Sequence, residues 1–222
     1  TNELIAALES VLDREPRHVG ANHYYIHAVE EYFPERAEAA ADRLATLAPE
    51  AGHLVHMPSH IYVRVGQFDK AVASNIRSQE VDKEFLEMWG DRSLPNLGTY
   101  PLSAKIHAPH AVDFIKYAAS FQGNYATAIE AANTLVSKIN PNDYKLGRNQ
   151  KRVSSVCLVN KMFGHWDSIL KSQPLASGTP YLDGIWHYCR GGALIASGDL
   201  NAARFELESI LNITIIKDID QN

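Results

Sequence analysis

The chain has 222 residues, 45% of them hydrophobic, enough to bury a substantial core. Its net charge is −5 and its pI near 6.0, with no basic cluster of the kind that tracks phosphates, which argues against nucleic acid as a partner. No run of about 18 apolar residues occurs, so no helix spans a membrane, and with no signal-peptide core in view the chain reads as soluble and cytoplasmic by default.

Helical periodicity dominates from the first turn. Leu4, Ile5, Leu8, Val11 and Leu12 form one apolar face of a helix over 3–14, which Pro16 ends. A start in mid-pattern at Thr1 is what a piece of a longer chain would show. The next helix is expected over about 18–31, stopping before Pro34. Pro34 then suits the first turn of a third helix, where a missing N–H costs little, and alanines carry that helix to Leu47. Residues 49–52 open a fourth helix, in which Pro58 predicts a kink or a lost hydrogen bond beside His56 and His60.

The second and fourth helices hold five of the chain's ten histidines, in residues 20–30 (GANHYYIHAVE) and 51–62 (AGHLVHMPSHIY). His23 and His27 are four apart, as are His56 and His60, with His53 three residues before His56. Residues three and four apart share a helix face, so each segment presents its imidazoles as one stripe. Paired histidines at that spacing can hold a metal ion without distorting the backbone. His107 and His110, with Asp113 on the same face, add a third pair further on. His165 and His187 have no histidine neighbours and read as structural. Cys157 and Cys189 lie far apart, in no CxxC arrangement, and read as buried thiols.

The chain repeats itself along most of its length. Gly-x-(aromatic or Leu)-x-x-Ala occurs at Gly66/Phe68/Ala71, Gly123/Tyr125/Ala128 and Gly198/Leu200/Ala203, with a degenerate copy at Gly164/Trp166/Ile169. Gly164 and Gly198 are 34 residues apart, as are Ala37 and Ala71. Each glycine should end one helix in a left-handed conformation, and the aromatic should start the partner that packs back on it. The spacing lengthens twice, which places inserted loops near 89–103 and 139–147.

These motifs resemble the tetratricopeptide-repeat family, as does the stretch from Trp186 to Gly198, with Pro49 matching that family's closing proline. The resemblance implies an all-α, right-handed solenoid of antiparallel helix pairs, about five repeats forming a single domain over 1–222, packed through Ala37, Ala71, Ala128 and Ala203. The two histidine motifs are similar to those of a bacterial subgroup of the family. There His107-Ala-Pro-His110-Ala-Val-Asp113-Phe114 stands where the subgroup carries Tyr-x-x-His-Asn-x-His-Phe-Leu. The resemblance further implies that the histidine helices are first helices lining a concave groove. His23, His27, His53, His56, His60, His107 and His110 would then converge there as metal ligands.

A nitrogen-rich donor set favours copper or zinc, with iron or manganese if Glu30 or Asp113 joins. Three histidines with one open position make the zinc pattern that generates hydroxide, and six shared between two ions resemble a dicopper oxygen-binding centre. Tyr24, Tyr62 and Glu30 are the candidates for catalytic groups near these ligands. Two functions follow. One is a metalloenzyme, copper-, zinc- or iron-dependent, that oxidises or hydrolyses a small molecule. The alternative is a non-catalytic adaptor that binds a peptide or protein partner in the groove.

Overall fold

The structure is a computed structural model and describes residues 2–89, 108–174 and 179–216. Among the described residues all regular structure is helical, and no helix is long and apolar enough to cross a membrane. The chain divides into two compact units, residues 1–122 and 123–222.

In the first unit α1 (Asn2–Arg14) packs on α2 (Val19–Val29), and α2 packs on α3 (Glu38–Leu47). Pro34 starts a single 3-10 turn, Pro34–Ala37, and not the α-helix directly; α3 begins only after it. Pro58 breaks the fourth helix as expected. α4 (Gly52–His56) and α5 (Pro58–Arg64) are separated by Met57, because the proline has no N–H for the turn below. α6 (Phe68–Trp89) packs along both pieces, and α7 (Ala108–Gln122) packs on α6. The core between them includes Ile26, Leu44, Met57 and Ile61, none of which retains any exposure. Each such side chain contributes about 1.5–3 kcal/mol through burial.

The second unit holds α8 (Tyr125–Ser137), α9 (Gly147–Val153), α10 (Ser155–Met162), α11 (Trp166–Lys171), α12 (Pro180–Ser197) and α13 (Leu200–Ile216). The insertion expected near 139–147 is a 3-10 turn, Pro141–Asp143, leading into α9. The loop expected near 89–103 falls almost wholly outside the described residues. Cys157 and Cys189 are free, buried thiols within an apolar cluster that includes Ile169 and Ala193.

The four repeat glycines carry the turns. Gly66, Gly123, Gly164 and Gly198 have φ of 78°, 81°, 71° and 87° and are the positive-φ residues of the described chain. Only glycine adopts this conformation without a steric penalty. After three of them the next amide reaches back to close the helix end: Gln67 N–H to Tyr62 O at 2.8 Å, His165 N–H to Asn160 O at 2.9 Å, and Asp199 N–H to Leu194 O at 3.0 Å. That is the Schellman closure, which satisfies carbonyls the helix end leaves open. Ala37, Ala71, Ala128 and Ala203 are all buried.

Candidate metal centre

Six of the seven proposed ligands come together in the first unit, in two groups of three: His23, His27 and His53, and His56, His60 and His110. Within each group the ligand atoms lie within 4.8 Å of one another. His107 lies outside the described residues. The grouping keeps both i, i+4 pairs, His23/His27 and His56/His60, and divides the second histidine segment. His53 leaves its neighbours on the AGHLVHMPSHIY segment and joins the α2 pair, while His56 and His60 face His110 from α7.

Several contacts hold the short α4 in place. The hydroxyl of Ser78 donates to Gly52 O at 2.8 Å and that of Ser74 to Val55 O at 2.5 Å, tying α4 to α6. The approach is so close that a Cβ on Gly52 would stand 2.0 Å from Asp82 Oδ1 and 3.3 Å from the backbone oxygen of Ser78. α2 is anchored at its start. The Nδ1 of His18 accepts from Ala21 N–H at 3.1 Å as an N-cap, and the side-chain amide of buried Asn22 donates to Pro16 O and His18 O at 2.9 Å. The N-cap role of His18 was not read from the sequence, although its place one residue before the helix is the signal.

The hydrogen bonds around the second triad fix where its protons sit. Asn75, fully buried on α6, uses its amide nitrogen on Ala71 O at 2.7 Å. Its oxygen therefore faces His56 Nδ1 at 2.5 Å as an acceptor, so His56 carries its proton on Nδ1. His60 Nδ1 lies 2.5 Å from Glu30 Oε2, which can only accept, so His60 is protonated on Nδ1 as well. The two Nε2 atoms then face each other 3.0 Å apart. Two lone pairs at that distance repel unless a cation, a proton or a metal ion, lies between them. In the first triad His23 Nε2 and His53 Nε2 are 3.2 Å apart. Nitrogens on one ion at bond lengths of about 2.0–2.1 Å and angles between square and tetrahedral would be about 2.8–3.4 Å apart. Both separations fall in that span.

Electrostatics prepares the same nitrogens. Burial pushes His56 down to about 3, helped by the neighbouring imidazoles against the raising effect of Asn75. Burial, with His27 and His60 nearby, also lowers His23. Both rings are therefore neutral at pH 7, the form that ligates. Burial alone would raise Glu30, but hydrogen bonds from His60 and His27 outweigh it and hold the carboxyl at about 2.

Phe114 packs against the second triad, its ring centroid 4.8–5.0 Å from those of His56, His60 and His110, while His110 stays exposed. Asn75 did not stand out as part of the site in the sequence, because it sits on α6, 19 residues along the chain from His56; Phe114 closes the His107–Phe114 motif and lies one turn from His110 on α7. Of the catalytic candidates, Tyr24 stands on the open side, 62% exposed, with its ring 5.1 Å from that of His23. Tyr62 is buried and donates its hydroxyl to Asp42 at 2.8 Å, and burial together with that carboxylate pushes its ionisation up. Glu30 is engaged with His27 and His60. In the second unit His165 stacks on Tyr125 at 3.7 Å, and His187 Nδ1 lies 2.6 Å from Glu206 Oε2, both packing contacts.

No protein-family model matches this sequence, and no curated protein does either.

Proposed function

We propose that this protein is a helical-repeat metalloprotein of tetratricopeptide type whose two histidine triads each hold a transition metal ion and act on a small molecule. The observation that carries the reading is the pair of Nε2 atoms of His56 and His60, 3.0 Å apart with both protons committed to the opposite side of their rings. A peptide-binding groove would turn its ring nitrogens outward to a ligand, whereas these turn toward one another. The repeat reading draws its support from the four left-handed glycines, each between two helices.

An all-imidazole donor set favours copper or zinc. Zinc so held supplies hydroxide near neutral pH, and copper supplies redox chemistry. The protein's own part is to keep six imidazoles aimed, with His23 and His56 held neutral by burial, to pack Phe114 against the second triad, and to leave the first open beside Tyr24. A small molecule approaches from that open side. Elemental analysis of tag-free protein purified without chelator tests the reading, against the variant with His23, His27, His56 and His60 all changed to Ala. About two equivalents of metal, lost in the variant, are expected. No metal as purified and none taken up on reconstitution would overturn it. Copper would direct the chemistry to oxidation, zinc to hydrolysis.

A further inference from the structure

We infer that Glu30 joins the two triads into one coupled centre, its single carboxylate positioning a ligand in each, so that filling one triad prepares the other. This rests on the metal-binding reading above and adds a positioning residue and a form of regulation to it. Glu30 caps the C-terminal end of α2, one turn beyond His27. Its Oε1 lies 3.2 Å from His27 Nδ1 in the first triad, and its Oε2 lies 2.5 Å from His60 Nδ1 in the second. The rings of His27 and His60 are themselves 5.8 Å apart between centroids.

A ligating histidine commonly donates its other N–H to a carboxylate, which orients the ring and makes it a better donor to the metal. Here one carboxylate does this for two rings that belong to different triads. With an ion bound at Nε2 of His60, its Nδ1–H would be a stronger donor and would hold Glu30 more firmly, with the second oxygen kept at His27. The negative charge, in contact with one ligand of each ion, also offsets part of the repulsion between two dications. Glutamine at this position keeps the size but has one neutral acceptor oxygen, so it serves one imidazole more weakly than a carboxylate does and must present an N–H to the other.

Cobalt(II) titration of the full chain, followed by visible absorption, tests this directly. The wild type should take up two equivalents. His53→Ala and His110→Ala, which each remove one ligand of one triad, should take up one. In the wild type the second ion should bind at least as tightly as the sole ion in either variant. Glu30→Gln should weaken binding at both triads, by about 10–100-fold, and shift the absorption bands of both. The same weakening should appear when Glu30→Gln is combined with His53→Ala or with His110→Ala, because each remaining triad uses the carboxylate. A wild type that binds one ion, or a Glu30→Gln effect confined to one triad or absent, overturns the coupling and leaves the metal-binding reading standing. If Glu30→Gln does not fold, the comparison of the second wild-type ion with the sole ions decides alone, and a second ion that binds more weakly than either overturns the inference. Failure of the wild type to take up any cobalt would instead count against metal binding itself.

Discussion

The two triads use the same side chain three times each and differ in what surrounds it. In the second, His56 is 2% exposed, its Nδ1 is committed to fully buried Asn75, and Phe114 lies against all three rings, with His60 half-buried and His110 exposed. In the first, His23 and His53 are half-buried, His27 is exposed, and the neighbouring Tyr24 is open to solvent. Burial obliges an imidazole to be hydrogen-bonded on its inner side, so His56 is part of the fold as well as of the site. An exposed imidazole carries no such obligation. The second triad should therefore be tied to the stability of the unit through His56, and the first largely free of it.

The sharpest way to break that contrast is to remove one ligand from each side. His56→Ala leaves a hole and strands the oxygen of Asn75 without its donor, and should cost about 2–4 kcal/mol of unfolding free energy. His27→Ala should cost under about 0.5 kcal/mol. Denaturant melts of the two metal-free variants measure this, and equal losses would mean that the two triads are not so divided. Gly52→Ala comes next. Its methyl group would stand 2.0 Å from Asp82 Oδ1, which can swing away, but also 3.3 Å from a backbone oxygen on α6, which cannot do so freely. The helix that must move carries His53 and His56, one ligand of each triad. We expect a loss of about 1–3 kcal/mol, with weaker metal uptake at both triads. Unchanged uptake would show that α4 is not held where its contacts with Ser74 and Ser78 place it.

Much of this was visible in the chain before its fold. The four turn glycines announce themselves because a left-handed residue leaves little choice of amino acid, and the i, i+4 histidine pairs because helix geometry is regular. Pro58 signalled the helix break for the same kind of local reason. The partition of the imidazoles was not visible. It depends on how far the chain turns at Met57 and on how α2 and α7 rotate against α4 and α5, which are matters of packing between helices. The Asn75 contact is set by α6 lying along α4, and the two-sided role of Glu30 by α5 lying against the end of α2. No spacing rule encodes such contacts, since each joins residues that only the tertiary structure brings together.

The smallest effect we expect near neutrality is also the one that separates the two triads most cleanly, the pH dependence of metal-free stability. His56 has an ordinary value of 6.5 when unfolded and about 3 in the folded protein. Between those values the unfolded chain binds the additional proton, so the contribution is complete above 6.5 and is lost as pH falls toward 3. From pH 7 to pH 6 the loss should be about 0.7 kcal/mol, steepening to about 1.4 kcal/mol per pH unit below that. Glu30, lowered from 4.5 to about 2, acts in a separate window: its contribution is present above 4.5 and disappears as pH falls toward 2. His23, lowered by its burial, adds in the same direction as His56. His56→Ala should therefore flatten the slope between pH 6 and pH 5 by about one proton, and His27→Ala should leave most of it in place. Equal slopes in the wild type and His56→Ala would mean that the neutral imidazole against Asn75 is not what the folded state requires, and the distinction between the two triads would fall with it.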